Sequence, residues 1–358
     1  MLFLWYLLHS KVFGILIKRT SDSITVPTFY SANEFVVNPL AIEHNGDEYQ
    51  SHRLNLKVES ACTESFKYYR DDSYLNAVIG ESSLHFLQSF PVMIYAIGKF
   101  IPQRIDAKSE LKHHGTMCVS STYVKFTFFR GTINTRQRSI SFWFQAMDPE
   151  AYENPSILTG EIRIGNPDTT RFSRITTSRY SLEPISALGW VTKEEIPLHI
   201  NQDEPLVSHS IFQFDIGTQL SLFPEDMFDA IVGDLKPILF HPLDGTGLPS
   251  DIYSYINEFT GETRSRNYFN CHNASLLHSF SIGNVLILPE WLYQPVERDS
   301  DDCMLHISPI SRNTKVLPRI SFNIIKRTYL TINTKTEISP FLEISERVLP
   351  AIFQCVIC

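Results

Sequence analysis

The stretch from Ile211 to Pro224 constrains this chain more than any other. An apolar run, Ile211-Phe212-Gln213-Phe214, delivers the carboxylate of Asp215 onto the turn Ile216-Gly217-Thr218. Gly217 permits a tight turn that a side chain would obstruct, and it leaves backbone N–H groups free to reach the carboxylate. Thr218 can offer a hydroxyl to the same group. The segment Leu220-Ser221-Leu222-Phe223 then runs to Pro224, and Glu225-Asp226-Met227-Phe228-Asp229-Ala230-Ile231-Val232 follows as a short amphipathic helix behind a Pro–acid start. Asp-x-Gly-Thr is also ordinary turn chemistry, so its meaning depends on the order of what surrounds it.

The chain has 358 residues, of which 43% are hydrophobic, enough for one large domain or two lobes with their own cores. Its 25 Phe and 15 Tyr, with recurrent Thr, Ser and Ile runs, favour a β-rich fold. A net charge of −8 argues against nucleic acid as the main partner. Cys62, Cys118, Cys271, Cys303, Cys355 and Cys358 show no zinc spacing, and the doublet His113-His114 reads as surface, so neither metal nor cofactor is expected. Ile140-Ser141-Phe142-Trp143-Phe144 reads as a strand. So does Gly160-Glu161-Ile162-Arg163-Ile164-Gly165, with period two between glycines. Residues 84–101 read as strands around Pro91, 123–131 as a helix-like stretch, and 241–269 as a Gly/Pro-rich loop.

Taken together in order, these segments resemble the pepsin-like aspartic proteases. The Asp215 stretch is similar to the family's second active-site loop, Asp-Thr/Ser-Gly-Thr, with Ile216 departing from the pattern. Phe66-Lys67-Tyr68-Tyr69-Arg70-Asp71-Asp72-Ser73 resembles the family's flap hairpin, with Tyr69 as the flap tyrosine and Arg70 and Asp72 in place of the turn glycines. His114-Gly115-Thr116-Met117-Cys118-Val119 stands where the family has Asp-Gly-apolar-apolar-Gly-apolar. Val316-Leu317-Pro318-Arg319-Ile320-Ser321-Phe322 and Tyr329-Leu330-Thr331-Ile332-Asn333 follow the family's closing pattern without its glycine and aspartate.

The resemblance implies a mainly β, bilobal fold with a central cleft. The expected divisions are a leader or decayed first-loop strand over 1–28, an N-terminal β lobe with flap over 29–172, a C-terminal β lobe over 173–345 and an apolar tail over 346–358. Residues 1–17 are open to two readings, as a signal peptide lacking a charged n-region or as a strand over Val12–Ile17. On the second reading, Lys18 to Pro27 resembles a decayed first active-site loop with Lys18 where the first catalytic Asp belongs, and Asp22 is the only nearby carboxylate. The resemblance also implies a Cys271–Cys303 disulfide closing a hairpin of the second lobe. Cys62 and Cys118 have no family counterparts and are expected to stay unpaired. Asn273-Ala274-Ser275 is a glycosylation sequon.

Family members place one Asp from each lobe so that the pair shares a proton and activates water against a peptide bond. No Asp-Thr/Ser-Gly precedes residue 200 here, so only Asp215 is placed, supported by Gly217 and Thr218. Beside an unrelated β-rich binding protein, which would not explain the ordered matches, two outcomes follow. One is a catalytically impaired pseudoprotease that keeps its cleft for a peptide or protein. The other is an active endopeptidase that pairs Asp215 with an N-lobe Asp. Either is expected to be a monomer of the secretory pathway or extracellular space, with no sign of membrane attachment.

Overall fold

The structure is a computed structural model. It describes residues 23–31, 34–37, 40–45, 48–53, 56–62, 66–69, 83–88, 93–99, 101–104, 115–119, 139–145, 158–183, 189–200, 206–239, 254–256, 263–265, 267–296, 300–310, 316–333 and 340–348. The expectations for 1–17, for Lys18 and Asp22, for the 123–131 helix and for the tail beyond 348 fall outside these residues.

The architecture is strand on strand. Six strands form a continuous backplane in the order Ser178–Ser181, Phe341–Glu346, Thr328–Asn333, Ser139–Phe144, Leu158–Gly165 and Ser23–Ser31. At its middle, Ser139–Phe144 pairs antiparallel with Thr328–Asn333, and the Ser141 and Thr331 hydroxyls lie 3.0 Å apart. All six residues of Ser139–Phe144 are buried, as a strand covered on both faces must be. Residues 23–27, on one of the two sequence readings the end of a decayed active-site loop, belong to a backplane strand paired with Glu161–Gly165.

Two five-strand groups with matching order stand against this backplane. The first continues the same sheet as Glu34–Val37, Leu56–Glu59, Gly115–Cys118, Phe66–Tyr69 and Ile101–Arg104. The second is Trp190–Val191, Gln213–Asp215, Arg319–Ser321, Ser221–Pro224 and Ile307–Ile310. In both, the second and third strands run parallel, and so do the fourth and fifth. The third and fourth are antiparallel in each. The chain therefore repeats one layout twice, and the repeat sets Leu56–Glu59 opposite Gln213–Asp215.

The core behind the second group is aromatic. Trp190 is fully buried with its ring 5.3 Å from that of Phe142, and Phe223 meets Phe212 and Phe280 edge-on. The Glu225–Val232 helix forms where its sequence predicts, burying Met227, Phe228, Ile231 and Val232. The stretch 241–269 is more than loop: Ser254–Ile256 and Thr263–Ser265 pair as antiparallel strands, and Tyr268–Asn270 pairs with Asp302–Leu305.

Candidate active site

Asp215 ends its strand and is 1% exposed. A buried carboxylate needs donors on both oxygens. Oδ1 accepts from Gly217 N at 2.9 Å and from the Ser60 hydroxyl at 3.0 Å. Oδ2 accepts from the Thr218 hydroxyl at 3.3 Å, and Arg319 Nη1 stands 3.9 Å from it. Arg319 is itself buried, on the strand parallel to that of Asp215.

Ser60 belongs to the opposite group. Its hydroxyl accepts from Ile216 N–H at 3.1 Å, and its single proton lies between Asp215 Oδ1 and Phe214 O at 3.3 Å. One side chain from the first repeat thus holds three consecutive residues of the second. Ile216, at the matching position of the second loop, has no hydroxyl to return the grip.

The residue before Ser60 is Glu59, the last of its strand and opposite Cys118 in register, as Asp215 is opposite Ser321. By the repeat, Glu59 is the counterpart of Asp215. A Cβ built on Gly217 would lie 2.9 Å from Glu59 Cγ and 3.3 Å from Asp215 Oδ1, so the stem of Glu59 and the carboxylate of Asp215 flank one point in space. The Glu59 carboxylate is taken by Lys57 Nζ at 2.7 Å, on the same strand.

The seam is tight behind these groups. Gly189 has φ +87°, and a Cβ there would come within 2.6 Å of Ser60 O, so only glycine lets the chain pass. The next residue, Trp190, donates from Nε1 to Val119 O at 3.1 Å, and Val119 N donates to Glu59 O at 2.8 Å.

Of the residues singled out from sequence, Asp215, Gly217 and Thr218 come together. Cys271 and Cys303 form a disulfide with Cα atoms 5.1 Å apart. Asn273 sits beside it on the Cys271–Leu276 3-10 helix, partly buried. Cys62 and Cys118, expected to be unpaired, form a second disulfide with Cα atoms 5.7 Å apart. The turn expected after Tyr69, with Arg70 and Asp72, lies outside the described residues. Phe66–Tyr69 runs parallel to Ile101–Arg104 and antiparallel to Gly115–Thr116, and the Tyr69 side chain is outside the described residues. Among the described residues further along, Ser83–Gln88 and Met93–Lys99 form an antiparallel hairpin whose first strand also pairs with Leu40–Ile42.

Sequence reasoning missed Glu59 and Ser60. The available signal was an apolar-alternating strand, Leu56-Lys57-Val58-Glu59, ending on a carboxylate and followed by a hydroxyl, as Gln213-Phe214-Asp215 ends before its own turn.

A mainly β molecule with two repeated halves meeting at a buried carboxylate defines the bilobal aspartic proteinase fold. An aspartic proteinase from Irpex lacteus shares it, with a TM-score of 0.56 over 91% of this chain and 97% of that one, at 14% identity. At that identity the likeness establishes the fold alone. No protein-family model matches the sequence, and no curated protein matches it either.

Proposed function

We infer that this chain is a catalytically impaired member of the aspartic proteinase fold that uses its cleft to bind an extended peptide or protein segment. The observation that carries this reading is the separate pairing of the two carboxylates. Asp215 faces Arg319 within its own half, and Glu59 faces Lys57 within its own. Proteolysis by this fold requires two carboxylates that share one proton and bracket a water. Here each negative charge is matched by a cation of its own, and the group nearest Asp215 from the other half is the Ser60 hydroxyl. Backbone groups at strand edges would supply the peptide's hydrogen bonds, with Tyr69 kept as the candidate flap residue. Two disulfides among the described residues support a secreted or lumenal setting.

One observation favours the second reading, an active endopeptidase. The Glu59 stem and the Asp215 carboxylate both border Gly217, so release of Glu59 from Lys57 would bring two carboxylates into one site. The deciding experiment is hydrolysis of a denatured protein across the acidic range. The binding reading expects no cleavage above that of Asp215→Asn. Cleavage abolished by both Asp215→Asn and Glu59→Gln would overturn it in favour of the protease.

A further inference from the structure

The Cys62–Cys118 disulfide lies directly behind the seam. Cys62 follows Ser60 by two residues, and its Sγ lies 3.1 Å from Glu59 O. Cys118 is fully buried and stands opposite Glu59 in the parallel pair. In the second half the position matching Cys118 is Ser321, opposite Asp215. There the loop is tied to its partner strand by hydrogen bonds: Ser321 Oγ to Gln219 O at 2.8 Å, Ser321 N to Ser221 Oγ at 3.0 Å, and Phe322 N to Thr218 O at 2.9 Å. The first half makes the equivalent link with a covalent bond. That loop also carries Ala61 where a glycine would ease the turn, and Gly189 is pressed against the Ser60 carbonyl.

We propose that the Cys62–Cys118 disulfide is the tether that places Ser60 on the Asp215 loop, and that reduction by a dithiol opens this seam and weakens the cleft. The dithiol's thiolate attacks Cys62, the partner with some solvent exposure at 8%, and Cys118 leaves as a thiolate that takes up a proton. The second thiol of the reductant then displaces Cys62, leaving two cysteine thiols and a cyclic disulfide on the reductant. With the tether gone, the Ser60 hydroxyl is no longer held against Ile216 N, Phe214 O and Asp215. Only the effect on the cleft rests on the peptide-binding reading. The positioning of Ser60 stands apart from it.

Amide hydrogen exchange on the folded protein, before and after titration with a dithiol, tests the tether. The Ile216 amide is held by Ser60, whereas the Ser221 amide donates to His306 O at 2.9 Å within the second half. Reduction should speed exchange at Ile216 roughly tenfold, the worth of one lost hydrogen bond, with Ser221 unchanged. Ser60→Ala with the disulfide intact should reproduce this pattern. The double variant Cys62→Ala/Cys118→Ala should do the same, and Cys271→Ala/Cys303→Ala should not. Unchanged Ile216 exchange on full reduction, or equal acceleration at Ser221, would overturn the tether. Oxidised insulin B chain serves as the extended-peptide probe for the cleft. Binding that weakens on reduction supports the second step, and binding indifferent to it refutes that step. Failure of the probe to bind the oxidised protein counts against the peptide-binding reading, while exchange still decides the tether.

Discussion

The Ser60 hydroxyl lies 3.0 Å from Asp215 Oδ1 across 155 residues of chain, and the same oxygen accepts the Ile216 amide. Both halves of the fold are therefore joined through one small side chain. Ser60→Ala removes the acceptor and leaves a buried N–H without that partner. The expected cost is about 1–3 kcal/mol, the penalty for an unmade buried hydrogen bond. Denaturant unfolding should show a lower midpoint at an unchanged slope. An unaltered midpoint would mean that water replaces the hydroxyl and that the seam is not closed.

Gly217 is required for its bareness. Its φ is not in the left-handed region, yet a Cβ would press on Glu59 Cγ at 2.9 Å and approach Asp215 Oδ1 at 3.3 Å. Gly217→Ala should destabilise by about 1–3 kcal/mol through overpacking. Glu59→Ala removes the nearer atom, so the double variant should recover much of that loss, giving a coupling energy well above additivity error. Strict additivity in thermal or denaturant unfolding would show that the two residues do not share the space.

The Asp215 turn was legible because its determinants are local: a carboxylate, a glycine and a hydroxyl within four residues. The β-rich, two-lobed class was legible for the same reason, from strand patterns and their order. The partner loop was not, because Glu59, Ser60 and Ala61 each replace the residue that would have marked it, leaving alternation without a glycine. Its identity comes from pairing with Gly115–Cys118, a contact that sequence separation hides. Cys62 and Cys118 lie 56 residues apart with no local sign of each other. Phe66–Tyr69 followed by acidic residues reads as a hairpin arm, while its parallel pairing with Ile101–Arg104 comes from far along the chain and leaves no local sign.

The turn after the Leu158–Gly165 strand carries an acid-sensitive contact. Burial alone would push the Asp168 carboxyl up, but hydrogen bonds from the Thr170 hydroxyl at 2.7 Å and the Thr170 amide at 3.1 Å, with Arg163 and Arg171 nearby, bring it below the ordinary 3.8. A folded value below the unfolded one stabilises the protein above the unfolded value, and the gain is lost as pH falls through the folded value. Asp168→Asn should therefore cost on the order of 1 kcal/mol or less at neutral pH, since the group faces solvent. The difference from wild type should vanish in strong acid. A deficit that persists there would assign the effect to packing rather than charge.

Lys326 carries the opposite pH signature at the base of the backplane. It follows the Phe322–Ile325 helical turn, is 6% exposed, and has its Nζ 5.8 Å from the Phe322 ring. Burial, with added repulsion from Arg327 and Arg347, lowers its ammonium from 10.5 to about 7. Arg347 is fixed close by, donating from Nη1 to Lys326 O at 3.0 Å and to Phe144 O at 2.8 Å. Between about 7 and 10.5 the unfolded chain holds a proton that the folded chain releases. Stability must then rise with pH across that window, by up to about 1.4 kcal/mol per pH unit for this one group. Below the window both states are protonated, and the full cost of burying the charge remains. Lys326→Met keeps the length and apolar stem while removing the ammonium. It should stabilise the protein by about 2–4 kcal/mol on the acid side of the window and converge with wild type on the alkaline side. Unfolding free energies measured at both ends check this. Parallel pH profiles for variant and wild type would show that Lys326 reaches solvent in the folded protein and that its burial has no electrostatic cost.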